Sequence, residues 1–235
     1  MEPVLFYGVP HGCSFGSIVA LEWLGQPYRL HRIDMSEQRP GGAFAKASPL
    51  GQTPAMLMAD GKPLNESLAI LHAIAARGID QGLGFAQGTR EFDELNAMLS
   101  YLHTTLHSAL GYGWSVYKLD KDDTAGTAFL RKLAKESATK AYAYLQGVLE
   151  GRDWLVGDHK TVADAYFIGI ARWGEDLKLF DIASEFPRLH RHMAKLEADP
   201  AMIFAHAIEE QRQAVSSGGF LGHIGIEDME PRLAA

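Results

Sequence analysis

Apolar and polar positions along the first third of the chain change period several times, and each change marks an element. Residues 4–7 (Val-Leu-Phe-Tyr) form an unbroken apolar run of the length of a buried strand. After the loop Gly8-Val9-Pro10-His11-Gly12, residues 14–24 place Phe15, Ile18, Leu21 and Leu24 at helical spacing, and Gly25 supplies a stop. Residues 28–34 alternate apolar with basic side chains, which fits a half-exposed strand and completes a right-handed βαβ unit. A short helix over about 42–47 follows. Pro54 then opens the apolar run 55–58, Asp60-Gly61 turns the chain, and 62–64 returns as a second strand. Residues 66–77 are helical up to Gly78.

The order βαβαββα over residues 1–78 predicts an α/β thioredoxin-like N-terminal domain. Residues 79–89, rich in Gly and Gln, read as a linker. From 90 to 214 the period is helical throughout, so a separate all-α C-terminal domain is expected. In it Leu95, Met98, Leu99, Leu102, Leu106 and Leu110 form one apolar stripe, and a long helix spans about 124–149. Thr161-Val-Ala-Asp164 is a capping-box variant, and Pro187 and Pro200 each start a helix. Residues 215–235 form a tail: Ser216 to Gly219 as a hinge, then Phe220, Leu221, Ile224, Ile226 and Met229. That much apolar surface is expected to dock, either as a lid at the mouth of an apolar cleft or on a partner subunit.

Composition narrows the function classes. At 235 residues the chain is long enough for proper cores without staples. With 22 Lys and Arg against 29 Asp and Glu the formal net charge is -7, which disfavours nucleic acid and anionic membranes as partners. No apolar run approaches the ~20 residues of a membrane span, and Met1-Glu2-Pro3 leads into a strand without a signal-type segment, so a cytoplasmic location is expected. The single cysteine, Cys13, excludes intramolecular disulfides and thiolate-rich metal sites, and no metal is expected.

The candidate chemistry gathers around Ser48-Pro49-Leu50-Gly51-Gln52-Thr53-Pro54-Ala55-Met56 and Asn65-Glu66-Ser67. An X-Pro bond is cis at modest cost. A cis bond before Pro54 would turn the Thr53 backbone outward, ready to pair with an extended peptide. Glu66 and Ser67 fall at the start of a helix, where unpaired N–H groups and the helix dipole attract a carboxylate, and Glu66 can hold an ammonium. A carboxylate and an ammonium on one carbon, with a peptide bond further along, describe glutathione. Cys13 precedes a helix, a setting that favours thiolate, so it either forms a mixed disulfide with the ligand or hydrogen-bonds the ligand's sulfur. Its alternative is a buried packing cysteine.

These motifs resemble the cytosolic glutathione transferases. S-P-x-G-Q-T-P-A-M, N-E-S-x-A-I and T-V-A-D-A-Y carry the resemblance, which covers about residues 3–205. Pro10-His11-Gly12-Cys13-Ser14 and Leu102-His103-Thr104-Thr105-Leu106-His107 are most similar to the bacterial beta class. The resemblance implies Cys13, His107 and Ser14 as catalytic residues, and Gln38, Gln52, Thr53, Pro54, Glu66, Ser67 and Thr104 as the glutathione site. It also implies glutathione as co-substrate, a small hydrophobic electrophile, a homodimer and a detoxification role. Where that class often has lysines near the ligand carboxylates this chain has Gln38 and Ser108, and Ser100 stands where a partner's asparagine is usual. Two alternatives stay open: a glutathione-dependent isomerase or dehalogenase, and a non-enzymatic binding or regulatory protein of the same fold.

Competing structural roles are readily assigned. His107 is otherwise a hydrogen-bonded structural histidine, Ser14 a helix cap, His11 a solvated loop residue, and Tyr7, at the strand end, a packing residue. His103 and His107 have the spacing of a helical zinc pair, but Thr104 stands where a zinc peptidase needs its glutamate.

Overall fold

The sheet order shows first how the chain is built: among the described residues five strands lie in the order β4-β3-β1-β2-β5. The structure is a computed structural model, and it describes residues 1–35, 44–225 and 227–229. Strand β1 (Val4–Val9) is buried along its whole length, and β2 (Tyr28–Asp34) runs parallel to it with Tyr7 opposite Arg32. Between them α1 (Phe15–Leu24) ends at Gly25, whose φ of 70° lies in the left-handed region that glycine tolerates. This helix is buried nearly all round, although its sequence shows a one-sided stripe. A helical turn, α2 (Phe44–Ala47), precedes β3 (Ala55–Leu57), which pairs antiparallel with β1 and with β4 (Pro63–Asn65). Pro63 opens the edge strand, where its missing N–H costs no ladder bond. Helix α3 (Ser67–Arg77) completes the expected order.

The chain divides into two compact units, Met1–Ala86 with Ala198–Ala235, and Gln87–Glu197. The second unit thus ends before the expected boundary at 214, and the last helix of the chain's helical stretch, Pro200–Glu209, packs on α1 instead. The tail also departs from expectation. It docks within its own unit as a fifth strand: Phe220–His223 forms β5, parallel to β2, with Tyr28 opposite Phe220 and Leu30 opposite His223. Buried Glu22 of α1 anchors the turn into it, accepting from the Ser216 hydroxyl, the Ser217 and Gly218 N–H groups and the Tyr28 hydroxyl. Beyond β5, Met229 is wholly buried among Val4, Phe6, Ile33, Phe44 and Leu57, with Ile224 packed alongside. Ile226 lies outside the described residues.

In the second unit α4 (Arg90–Tyr101), a π-helical turn (Leu102–His107) and α5 (Ser108–Ser115) run end to end. The long α6 (Thr124–Val148) packs against them, and α7 (Val162–Ala171) is buried at every position. Thr161 and Asp164 form the capping box, and the Asp164 carboxylate also accepts from the Leu155 N–H. Two short turns, α8 (Trp173–Asp176) and α9 (Ile182–Glu185), lead to α10 (Pro187–Glu197); α11 (Pro200–Glu209) belongs to the first unit, and both prolines stand at helix starts.

Candidate functional site

In the first unit the loop after β1, the loop before β3 and the start of α3 meet at Cys13. Its Sγ lies 3.4 Å from the Thr53 carbonyl oxygen and 3.8 Å from the Ser67 hydroxyl, which donates to it. The thiol is half-buried and in no disulfide. The Thr53-Pro54 bond is cis, and the Thr53 carbonyl is oriented to accept from Cys13. Glu66 is exposed, with φ +74°, a conformation that costs a non-glycine residue of order 1–3 kcal/mol. The chain enters α3 at this residue, and no side chain caps the helix N-terminus. The helix starts at Ser67, one residue later than expected, so Ser67 is both its first residue and the partner of the sulfur.

Ser14 does not cap its helix: its hydroxyl accepts from the Gly8 N–H at 3.0 Å, fully buried, and so joins the loop to β1 rather than facing a ligand. Gln52 is exposed, while its backbone N–H and C=O are both bonded to the buried Ser48 hydroxyl, which holds the turn before Pro54. Gln38 lies outside the described residues. His11 is exposed with φ +51°. Tyr7 is 1% exposed and its hydroxyl is 3.0 Å from His223 Nε2 on the tail strand. Burial raises its pKa, against the hydrogen bond and positive charge of Arg32, which lower it. Burial lowers that of His223, with His31 and Arg32 adding to the effect.

In the second unit the π turn brings His103 and His107 onto one hydroxyl. Their Nδ1 atoms lie 2.9 and 2.8 Å from the oxygen of buried Tyr166 on α7. That oxygen has a single proton, so one ring accepts through Nδ1 and the other donates through Nδ1–H. Burial pushes the His107 pKa down to about 4, and His103 adds to the effect. His107 is therefore neutral near pH 7. Its ring also packs edge-on against Trp173, with centroids 5.1 Å apart. π turns are rare and concentrate at functional sites; nothing in the apolar stripe announces one. Tyr166, which the sequence presents only as part of a motif, is the residue that unites the two histidines. Thr104 is exposed on the same turn and its hydroxyl donates to the Ser100 carbonyl. Among the described residues no group of three or more His, Cys, Asp or Glu is arranged to hold a metal, and no helix is long and apolar enough to cross a membrane.

Comparison with known proteins gives the same assignment in both halves of the chain. Residues 13–77 match the glutathione S-transferase N-terminal domain and residues 107–200 the C-terminal domain. The chain belongs to the glutathione S-transferase family. It is 29% identical over 172 residues to glutathione S-transferase GST-4.5 of Xanthomonas campestris, covering 71% of this chain and 80% of that one. Among solved structures it is similar to a glutathione transferase from Methylococcus capsulatus, at a TM-score of 0.78 and 27% identity, covering 89% of this chain and 99% of that one. A sphingomonad glutathione S-transferase complexed with glutathione gives a TM-score of 0.77 and 27% identity, with 88% and 98% covered.

Proposed function

We propose that this glutathione transferase seats glutathione in its first unit, against the Thr53 backbone, Glu66 and the start of α3, with the ligand's sulfur beside Cys13. The observation that carries the reading is the convergence of Cys13 Sγ, the Thr53 carbonyl and the Ser67 hydroxyl on one point before an uncapped helix. Strained, exposed Glu66 stands at the same turn. The ligand's ammonium pairs with Glu66, its carboxylate takes the first-turn N–H groups of α3, and its peptide bond takes the Thr53 backbone in place of Cys13. Gln52 lies close in sequence and adds an exposed amide.

In conjugation the ligand's thiol gives up its proton, its sulfur bonds to an electrophilic carbon of a small apolar substrate, and the leaving group departs with the electron pair. In exchange, the Cys13 thiolate attacks one sulfur of oxidised glutathione. One S–S bond forms as the other breaks, and the released thiolate takes a proton.

The protein works as a cytoplasmic homodimer. Tyr144 and Phe129, large side chains exposed on α6, support a subunit contact there, and sedimentation at micromolar concentration checks it. Calorimetry with reduced glutathione, followed by intact mass after oxidised glutathione, tests the whole reading. Saturable binding and a single glutathione adduct on Cys13 support it. Absence of binding at millimolar ligand overturns it.

A further inference from the structure

The second unit also contains a basic cavity that transferase chemistry does not use. It measures about 400 Å³ between the end of α6 and α10 and is lined by Arg152, Arg188, Arg191 and Lys195, with Asp153 as the one carboxylate. Four cations on one cavity stand out in a chain whose net charge is -7. Two of them are already engaged: Arg188 pairs with Glu150 at 3.0 Å, and Lys195 bonds to the Asp153 carbonyl and lies over the Trp154 ring. The guanidinium groups of Arg152 and Arg191 have no partner among the described residues, and both side chains are exposed.

The cavity also touches a buried polar group. His192, 4% exposed, lines it while donating through Nε2 to Asp164 at 3.0 Å, and its Nδ1 has no hydrogen-bond partner among the described residues. A buried nitrogen left unsatisfied is destabilising unless a ligand or water supplies the bond. Asp164 is itself fixed by the capping box, so His192 is held through Nε2 by an anchored carboxylate.

We propose that this cavity is a second binding site, taking the phosphate group of a small phosphomonoester. Two unpaired guanidinium forks match the oxygens of a phosphate in bidentate fashion. His192 Nδ1 takes the remaining polar contact, accepting from a phosphate hydroxyl. The volume exceeds that of a lone phosphate ion and falls in the range of small-molecule pockets, and Leu149 offers an apolar wall to the organic part.

Calorimetric titration of the full chain with phenyl phosphate and, separately, inorganic phosphate, at fixed ionic strength in chloride buffer, tests this. Saturable binding of phenyl phosphate is expected, tighter than that of the free ion. The double variant R152Q/R191Q should weaken it at least tenfold. Both side chains are exposed and unpartnered, so the variant keeps its fold, which an unchanged melting temperature verifies. E66A should bind phenyl phosphate as the parent does, which separates this site from glutathione binding. No saturable binding of either probe at millimolar concentration, or an unaffected double variant, overturns the site. Equal affinity for the two probes overturns the ester.

Discussion

Tyr7 on β1 and Cys13 in the loop that follows it each carry a group able to stabilise a thiolate, yet the structure gives them opposite surroundings. Tyr7 is sealed: its hydroxyl meets His223 on β5, beside Arg32, and burial raises its pKa. Cys13 is half-buried, and its sulfur is bonded to the Thr53 carbonyl and the Ser67 hydroxyl in a loop that faces an uncapped helix start. The difference teaches that surroundings, rather than place along the chain, set a side chain's access: β5 engages the tyrosine hydroxyl, while the cysteine thiol stays partly exposed.

The strongest way to break this contrast is to remove the tail. Truncation after Ser217 deletes β5, His223 and buried Met229 and removes part of the turn that donates to Glu22. The loss of one buried methionine alone is worth about 2–5 kcal/mol, so denaturant unfolding should show a fall of at least that size. A truncated chain as stable as the parent would mean that the tail does not hold Tyr7.

Next in size is Glu22→Gln. The carboxylate accepts from four donors in a buried setting. An amide presents hydrogens to some of them, and each buried donor left unsatisfied costs about 1–3 kcal/mol. The expected loss is about 2–3 kcal/mol, with glutathione conjugation retained in the folded fraction. Loss of activity at unchanged stability would contradict a purely structural anchor.

A smaller, pH-dependent effect belongs to the second unit. Burial lowers the folded pKa of His107 to about 4, so the unfolded chain binds more protons between about pH 6.5 and 4, with ~6.5 the free value. Stability is therefore undiminished above pH 6.5 and declines as the pH falls through that window, by on the order of 1.4 kcal/mol for each pH unit crossed. Unfolding of H107Q compared with the parent at pH 7 and 4.5 should show the stability gap shrinking at the lower pH. A gap independent of pH would place His107 outside this balance. Tyr7→Phe has the least effect: about 1 kcal/mol of stability for one hydrogen bond, with conjugation within about twofold of the parent.

Much of this arrangement is legible along the chain. Gly25, Pro187 and Pro200 mark helix ends or starts because each acts on the backbone locally, and the βαβαββα order follows from changes of apolar period. Thr161 and Asp164 announce their capping box by spacing alone. Cys13, Thr53-Pro54 and Ser67 stand out through local motifs, and the fold brings them together. What escapes such reading depends on long-range or backbone events. The strand Phe220–His223 is short and flanked by glycine, and it exists only by pairing with β2 almost two hundred residues away. The π turn changes hydrogen-bond register without changing the apolar stripe, so the meeting of His103 and His107 on Tyr166 has no periodic signal. Ser14 has the position of a cap, but its hydroxyl binds the Gly8 N–H on the preceding strand. Glu66 carries no composition cue for its positive φ, since glycine is the usual occupant of such a position.

The most direct test of the central claim is a calorimetric comparison of reduced glutathione binding to the parent, E66A and Y7F, with folding of each verified by circular dichroism. A charge-assisted contact at Glu66 is worth about 1.5–3 kcal/mol, so E66A should bind at least tenfold more weakly while Y7F binds as the parent does. The reverse outcome, weakened binding in Y7F and unchanged binding in E66A, would move the ligand from the Cys13 loop to the tyrosine and contradict the account.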